Sequence, residues 1–164
     1  MKTTIYKASL DKLSIGISFG GGALFLLIIL LQAGPSGGES IAAPLISGVL
    51  FGGIYVVTYL YHPTAYEVST DRLIIRRPVS RVIIERSDIQ MVKLLQASEM
   101  GAVIRTFGVG GLFGYFGKFA SNSIGKMTWY ATRRDRYVWI KTKEGNNIIV
   151  TPDDPKGFCS EFNI

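Results

Sequence analysis

The chain contains almost none of the residues that build metal centres and most catalytic sites. Among 164 residues there is one cysteine, Cys159, and one histidine, His62. A single cysteine excludes an internal disulfide framework and a cysteine-rich zinc site. His62 follows a long apolar stretch and Cys159 lies on an expected buried helix face, so no Ser–His–Asp or Cys–His set can be assembled convincingly. We therefore expect a protein that is not an enzyme and that holds no metal or cofactor.

Charged residues are also missing from two long stretches, Leu13–Ala33 and Ile41–Tyr61. Each is close to the ~20 residues that an α-helix needs to cross a bilayer. The short polar link 34–40 joins them, which predicts a transmembrane hairpin at 13–61 after an N-terminal segment at 1–12. Conduits for ions or protons need ionisable groups or broken helices at mid-membrane depth. The hairpin is therefore expected to be an anchor.

The basic residues predict how this anchor is oriented. Lys2, Lys7 and Lys12 precede the first stretch, the link carries only Glu39, and arginines follow the second stretch. The positive-inside rule then places both termini in the cytoplasm of a multi-pass membrane protein. The membrane explains the formal charge of +6, so we expect no nucleic-acid partner. A cleavable signal peptide is the alternative for the first stretch, but its apolar run exceeds the usual ~7–15 residues.

Glycines spaced one helical turn apart occur in both stretches. Gly16 and Gly20 lie in the first, and Gly48 and Gly52 in the second. Small residues at this spacing let helix backbones approach each other in membranes. We favour packing of the two helices within one hairpin, because the link is short. Dimerisation between two chains is the alternative.

After Pro63 the hydrophobic period becomes that of β-strands. The candidate strands are Ala65–Ser69, Leu73–Arg77, Arg81–Glu85, Ile89–Leu95, Val103–Phe107, Met127–Thr132, Tyr137–Lys143 and Ile148–Thr151. This spacing favours an antiparallel sandwich or barrel. The residues 151–154 resemble a helix-capping box, and Phe158, Cys159 and Phe162 share one face of the short helix that follows. Cys159 is then a buried thiol.

Several of these segments together resemble the bacterial PH-domain (pleckstrin-homology-like) membrane proteins. The resemblance rests on 66–75, the glycine-rich 107–119, 130–132 and the closing strand and helix at 148–158. It implies an α+β membrane protein in which a two-helix transmembrane hairpin precedes a mainly antiparallel PH-like barrel at 62–164, capped by a C-terminal helix. It implies very little about chemistry, because a fold does not determine a function.

The glycine-rich segment Phe107–Phe119 interleaves glycines with aromatic residues. It lacks the third glycine of a dinucleotide-binding loop and the Gly-Lys-Ser/Thr end of a P-loop. Two alternatives stay open: a mobile loop whose aromatic rings contact lipid or a partner, and a long excursion that packs back onto the barrel. With the basic residues of nearby segments, the candidate lipid or partner contacts are Arg76, Arg77, Arg81, Arg105, Phe113, Tyr115, Phe116, Lys118 and Phe119.

These features predict a membrane-anchored, non-enzymatic module that binds a protein partner or further copies of itself at the cytoplasmic face. Anionic-lipid or small-ligand binding through the basic residues is the alternative. An accessory subunit of a membrane enzyme or transporter is the second alternative.

Overall fold

The computed structural model describes residues 3–33 and 41–162, and the link at 34–40 lies outside them. The first apolar helix is continuous but changes its winding. It consists of α1 (Lys12–Ile15), a π-helical segment (Gly16–Gly20) and α2 (Gly21–Ala33). The second apolar helix is α3 (Ala42–Tyr61). Both are long and apolar enough to cross a membrane.

Ten strands and two short helices form the rest of the described chain. The strands are β1 (Thr4–Lys7), β2 (Ala65–Val68), β3 (Arg72–Arg76), β4 (Arg81–Glu85), β5 (Ile89–Leu95), β6 (Val103–Gly111), β7 (Gly114–Ser121), β8 (Gly125–Ala131), β9 (Tyr137–Thr142) and β10 (Asn147–Val150). The short helices are α4 (Ala97–Met100) and α5 (Pro155–Ser160), and a 3-10 turn, Arg86–Asp88, precedes β5.

The strands form two sheets. One has the order β1-β2-β3-β4 and the other β5-β9-β10-β8-β7-β6, and of all these pairs only β8 with β10 is parallel. The predicted fold class is confirmed: two apolar helices precede a mostly antiparallel PH-like domain with a short C-terminal helix. The sheets are not closed into a barrel, however, and the domain is a sandwich.

The strand β1 was not predicted from the sequence, although it completes the four-stranded sheet. Thr4 lies opposite Val68 and Lys7 opposite Ala65 in an antiparallel register. The next backbone hydrogen bond, from Ala8 N to the Thr64 oxygen, is 3.3 Å long. Both apolar helices are therefore inserted between two neighbouring strands of one sheet. The segment before the first helix is part of the folded domain.

Alternating side chains of the six-stranded sheet contribute to two hydrophobic cores. Val138 and Ile140 of β9 pack with the four-stranded sheet and α5 in a first core. Tyr137 of the same strand packs into a second core with Trp129 and Met100. The side chains of the predicted strand Tyr137–Lys143 therefore alternate between the two cores. The second core also includes Tyr115 and Phe119 of β7 and Met100 of α4, and neither element was predicted.

The C-terminal helix docks as expected but is capped differently. Asp154, not Thr151, is the N-cap: its carboxylate accepts a 3.0 Å hydrogen bond from Gly157 N. The Thr151 hydroxyl instead accepts from Thr132 N at 2.9 Å. Phe158 is fully buried in the first core and Cys159 is partly buried beside it. Burial raises the pKa of the Cys159 thiol, which disfavours the reactive thiolate.

The glycine-rich segment forms a β-hairpin, β6–β7, where the sequence suggested a long loop. Gly108 and Gly117 lie opposite each other with φ of +113° and +125°. A Cβ on either residue would overlap the carbonyl oxygen of the strand opposite. Glycine is the residue that adopts this backbone conformation and tolerates so close an approach. The glycines therefore permit strand pairing here.

The predicted packing glycines mostly lie away from the contact between the two apolar helices. Among the described residues, none comes within 4 Å of a Cβ built on Gly16, Gly20 or Gly52, whereas one on Gly48 would lie 3.8 Å from Ile29 Cδ1. Packing within the hairpin is thus not mediated by Gly16, Gly20 or Gly52.

Aromatic and polar side chains make this contact. The rings of Phe25 and Phe51 are 4.4 Å apart, and the Ser47 hydroxyl donates to Gln32 Oε1 at 3.3 Å. The helices therefore touch through larger side chains. The open glycine faces leave dimerisation between chains as a prediction.

Candidate functional site

The tip of the β6–β7 hairpin is held by two serines of the first apolar helix. The Ser14 hydroxyl donates to the Gly111 oxygen at 2.7 Å, and the Ser18 hydroxyl accepts from Phe113 N at 2.7 Å. Both serines are fully buried and lie four residues apart, hence on one face of the helix. They satisfy backbone groups of a turn that would otherwise be buried without partners.

The π-helical segment brings the second apolar helix into the same contact. Its Ser18 carbonyl oxygen accepts a 2.7 Å hydrogen bond from the Tyr55 hydroxyl. A Cβ on Gly22 would lie 3.1 Å from that hydroxyl oxygen, so a glycine makes room for the Tyr55 ring.

Phe113 lies where the hairpin tip meets the second apolar helix. Its ring centroid is 4.8 Å from that of Tyr55, 5.3 Å from Tyr59 and 5.8 Å from His62. Its φ of +53° is uncommon for a residue with a side chain. The aromatic contacts and the Ser18 hydrogen bond hold it in that conformation, which joins the hairpin tip to both helices.

Asp11 joins the start of the first apolar helix to the domain. Its carboxylate caps α1 by accepting from Ser14 N at 2.7 Å. It also accepts from the Tyr115 hydroxyl at 3.2 Å and from Arg134 N at 3.1 Å. Burial, followed by the negative charge of Asp11, raises the pKa of Tyr115 to about 12. The phenol therefore stays protonated and continues to donate.

The predicted aromatic contacts are all buried. Phe113, Tyr115, Phe116 and Phe119 are at most 9% exposed. Of the two alternatives for this segment, the structure shows the packed one. The Phe113 ring packs against α3, and Tyr115 and Phe119 belong to the second core, so the four rings form no exposed patch.

The basic candidates separate into two places. Arg76, Arg77 and Arg81 line one groove of about 410 Å³ at the β3–β4 turn. Arg105 lies on β6, and Lys118 on β7 donates to the Thr128 hydroxyl at 2.8 Å. The sequence clusters 76–81 and 105–119 are thus not one site.

The arginine groove lies beside the end of the second apolar helix, since Val79 N donates to the Leu60 oxygen at 3.4 Å. Arg76 is neutralised by a two-pronged ion pair with Glu67, both hydrogen bonds being 2.7 Å. The Arg77 guanidinium lies 4.8 Å above the Tyr130 ring.

Two buried polar atoms of this groove, Arg77 Nε and Ser80 Oγ, have no hydrogen-bond partner among the described residues. The groove can therefore offer two donors and the exposed Arg81 to an anion.

Two features of the surface around β6 were not predicted from the sequence. Ile104 and Phe107 are 64% and 78% exposed on this strand, which is an edge of the six-stranded sheet. Trp129, Arg134 and Tyr137 line a cavity near its other face. These residues are brought together by the β6–β7 hairpin, and β7 was not predicted from the sequence.

The described residues contain no group of three or more histidine, cysteine, aspartate or glutamate side chains that could hold a metal ion.

The family model described as "Bacterial PH domain" matches residues 64–163. The chain belongs to this family. PH domains are generally non-catalytic interaction modules. The matched range excludes β1, which nevertheless pairs with β2 of the PH domain. No match was found among curated proteins or among solved structures.

Proposed function

We propose that this PH-domain protein is a membrane-anchored adaptor that binds a protein partner through the free edge of β6. The anchor consists of the two apolar helices, which carry exposed leucine, isoleucine and valine side chains along their lengths. Lipid removes the cost that such side chains incur in water. The basic flanks favour a cytoplasmic PH domain.

The observation that carries the proposal is how firmly the domain is joined to the helices. The helices leave the sheet at β1 and β2 and meet it again at the β6–β7 tip, where Ser14 and Ser18 bind. Three connections prevent the domain from turning freely. An anchored PH domain joined in this way presents the same edge to every partner near the membrane surface.

The contact surface in this proposal is the β6 edge. Its outer side pairs with no strand in the described chain, and Ile104 and Phe107 are exposed on it. An edge strand with free N–H and C=O groups can accept an extended segment of another chain, and adjacent apolar side chains add affinity. A second copy of this chain is one form of such a partner.

Photo-crosslinking in cells tests this proposal. A benzoylphenylalanine residue replaces Phe107 in the full chain, with Ile83 as the matched position, since Ile83 is a 46% exposed residue of the other sheet. We expect adducts from position 107 and none from position 83. An adduct of twice the chain mass identifies a second copy, and mass spectrometry identifies any other partner, including a membrane enzyme or transporter. Equal labelling at both positions, or none at 107, refutes the adaptor role.

Anionic-lipid binding in the arginine groove is the second candidate. It is favoured by the unpartnered Arg77 Nε and Ser80 Oγ beside the end of the second helix. Acidic headgroups attract each nearby basic group by about 1 kcal/mol.

Thermal unfolding in nanodiscs tests this second candidate. The full chain should unfold at a higher temperature in phosphatidylglycerol nanodiscs than in phosphatidylcholine nanodiscs. Arg77→Gln with Arg81→Gln should remove the difference, and Lys126→Gln with Lys143→Gln, two exposed positions, should retain it. A difference that both double variants retain would exclude the groove.

A further inference from the structure

A cavity of about 450 Å³ lies between α4 and the β6–β7 hairpin, on the second-core face of the six-stranded sheet. Its size falls within the range of small-molecule sites, roughly 300–1,000 Å³. We propose that it binds an amphiphilic anion, meaning a phosphate or carboxylate joined to a short apolar body. This site is separate from the arginine groove, and β6 contributes Arg105 to it.

Aromatic rings form one side of the cavity. Phe119 stacks on Trp129 with ring centroids 4.5 Å apart, and Tyr137 lies 5.5 Å from Trp129. Tyr115 and the aliphatic Met100 complete this side. Flat apolar surfaces of this kind bind an alkyl or aromatic body by removing it from water.

The guanidinium groups of Arg105 and Arg134 line the same cavity. The Arg134 guanidinium carbon is 4.9 Å from the Tyr115 ring centroid. Arg105 folds back over Gly110, where a Cβ would lie 2.7 Å from Arg105 Nη1. Neither side chain forms an ion pair with any described residue. A pair of free guanidiniums suits a phosphate or carboxylate, which each can bind through two parallel hydrogen bonds.

The remaining polar groups support an anion rather than a cation. No aspartate or glutamate of the described chain lines the cavity. The carboxylate of Asp11 contacts two residues of the cavity, but it already accepts hydrogen bonds from Ser14 N, the Tyr115 hydroxyl and Arg134 N. The indole N–H of Trp129, a residue that is 3% exposed, has no acceptor within the described ranges. Burial raises the pKa of Tyr137 to about 12, so its phenol also remains a donor.

The chain carries its own reporter for this site. It has two tryptophans, Trp129 and Trp139, and Trp139 donates instead to Asn147 Oδ1 at 3.0 Å. The variant Trp139→Phe leaves Trp129 as the sole indole. Its fluorescence in the full chain, reconstituted in phosphatidylcholine nanodiscs, reports occupancy of the cavity.

The titration uses octyl phosphate, with octanol and inorganic phosphate as matched probes that each lack one half of the ligand. We expect a saturable change with octyl phosphate and none with either control at the same concentration. Arg105→Gln and Arg134→Gln should each weaken binding about tenfold or more, as expected for loss of a charge-assisted contact. Lys126→Gln with Lys143→Gln should leave it unchanged. Both arginines are exposed, so neither substitution should unfold the domain.

Phosphatidylglycerol nanodiscs separate the two sources of such an anion. If a membrane lipid occupies the cavity, these nanodiscs shift the Trp129 signal and weaken the response to octyl phosphate. If the ligand is soluble, the response is the same in both lipids. An equal response to octanol, no saturation, or unchanged binding in both arginine variants overturns the proposal. These results are independent of crosslinking at position 107.

Discussion

At the scale of single residues, Ser18 has the widest consequences, because it connects three parts of the chain. Its hydroxyl binds Phe113 N and its carbonyl oxygen binds the Tyr55 hydroxyl. Ser18→Ala leaves the Phe113 N–H buried without an acceptor, which should lower the free energy of unfolding by about 1–3 kcal/mol. Thermal unfolding of the detergent-solubilised chain measures this. Ser123→Ala, at an exposed turn, is the control, and equal effects of the two would contradict the proposed role of Ser18.

The buried phenol of Tyr66 should make the free energy of unfolding depend on pH. The residue is fully buried, and burial raises its pKa to about 12. Its hydroxyl donates to the Tyr130 oxygen at 2.6 Å and accepts from Thr151 N at 3.2 Å. The unfolded chain loses this proton near pH ~10, whereas the folded chain keeps it until about pH 12. The folded state then binds more protons, so the contribution is complete below pH ~10 and is lost as the pH rises through about 12.

Denaturation midpoints measured from about pH 8 to about pH 12 test this prediction. Tyr66→Phe should be less stable at the lower pH because two hydrogen bonds are lost, but its stability should fall less steeply above pH ~10. The decisive quantity is the slope of stability against pH. A slope identical to that of the wild-type chain would show that Tyr66 does not titrate as proposed.

At the scale of elements, β1 should be a required part of the PH domain. The Tyr6 hydroxyl donates to the Gly157 oxygen at 2.9 Å, and its ring lies 5.4 Å from that of Phe158. Tyr6→Ala should therefore destabilise the protein by about 2–4 kcal/mol. The neighbouring Ile5 is 56% exposed, so Ile5→Ala should change stability by less than about 0.5 kcal/mol. Chemical denaturation of both variants checks the difference, and similar values would argue against a structural role for β1.

The same reasoning applies to the paired glycines of β6–β7. Gly117→Ala forces a Cβ into the Phe107 carbonyl oxygen at a φ of +125°. We expect a loss above about 4 kcal/mol or failure to fold, because neither strand can move without disrupting the pairing. Gly125 also has a positive φ, +81°, but open space around it, so Gly125→Ala should cost only about 1–2 kcal/mol. Expression level and unfolding midpoint distinguish the two, and equal tolerance would count against the close approach.

At the scale of the whole molecule, the proposed orientation is directly measurable. With Cys159→Ala as background, Ser36→Cys marks the link and Asn122→Cys, at an exposed position, marks the PH domain. A membrane-impermeant maleimide should label position 36 in intact spheroplasts and position 122 only after permeabilisation. The protein should also stay in the pellet after carbonate extraction. Labelling in the reverse order would overturn the orientation, and extraction by carbonate would overturn the anchor.

The sequence by itself determined the elements whose signals are local. Two charge-free runs of about 20 residues predict helices whatever follows them. Period-two alternation predicts strands such as Arg81–Glu85, which the structure reproduces residue for residue. Together with the resemblance carried by 148–158, this was enough for the fold class and the family.

Tertiary structure alone decided what depends on contacts between distant segments. β1 is a strand because Thr64–Val68 offers it a partner more than about 50 residues away along the chain. β7 is a strand because its glycines let its backbone approach that of β6 closely, and no local sequence pattern predicts this contact. The same long-range pairing buries Phe113 and Phe119, separates Arg105 from Arg76, and places Arg105 and Arg134 around one cavity. Local periodicity predicts only on which face of a strand or helix a side chain lies. The element that packs against that face depends on the whole fold.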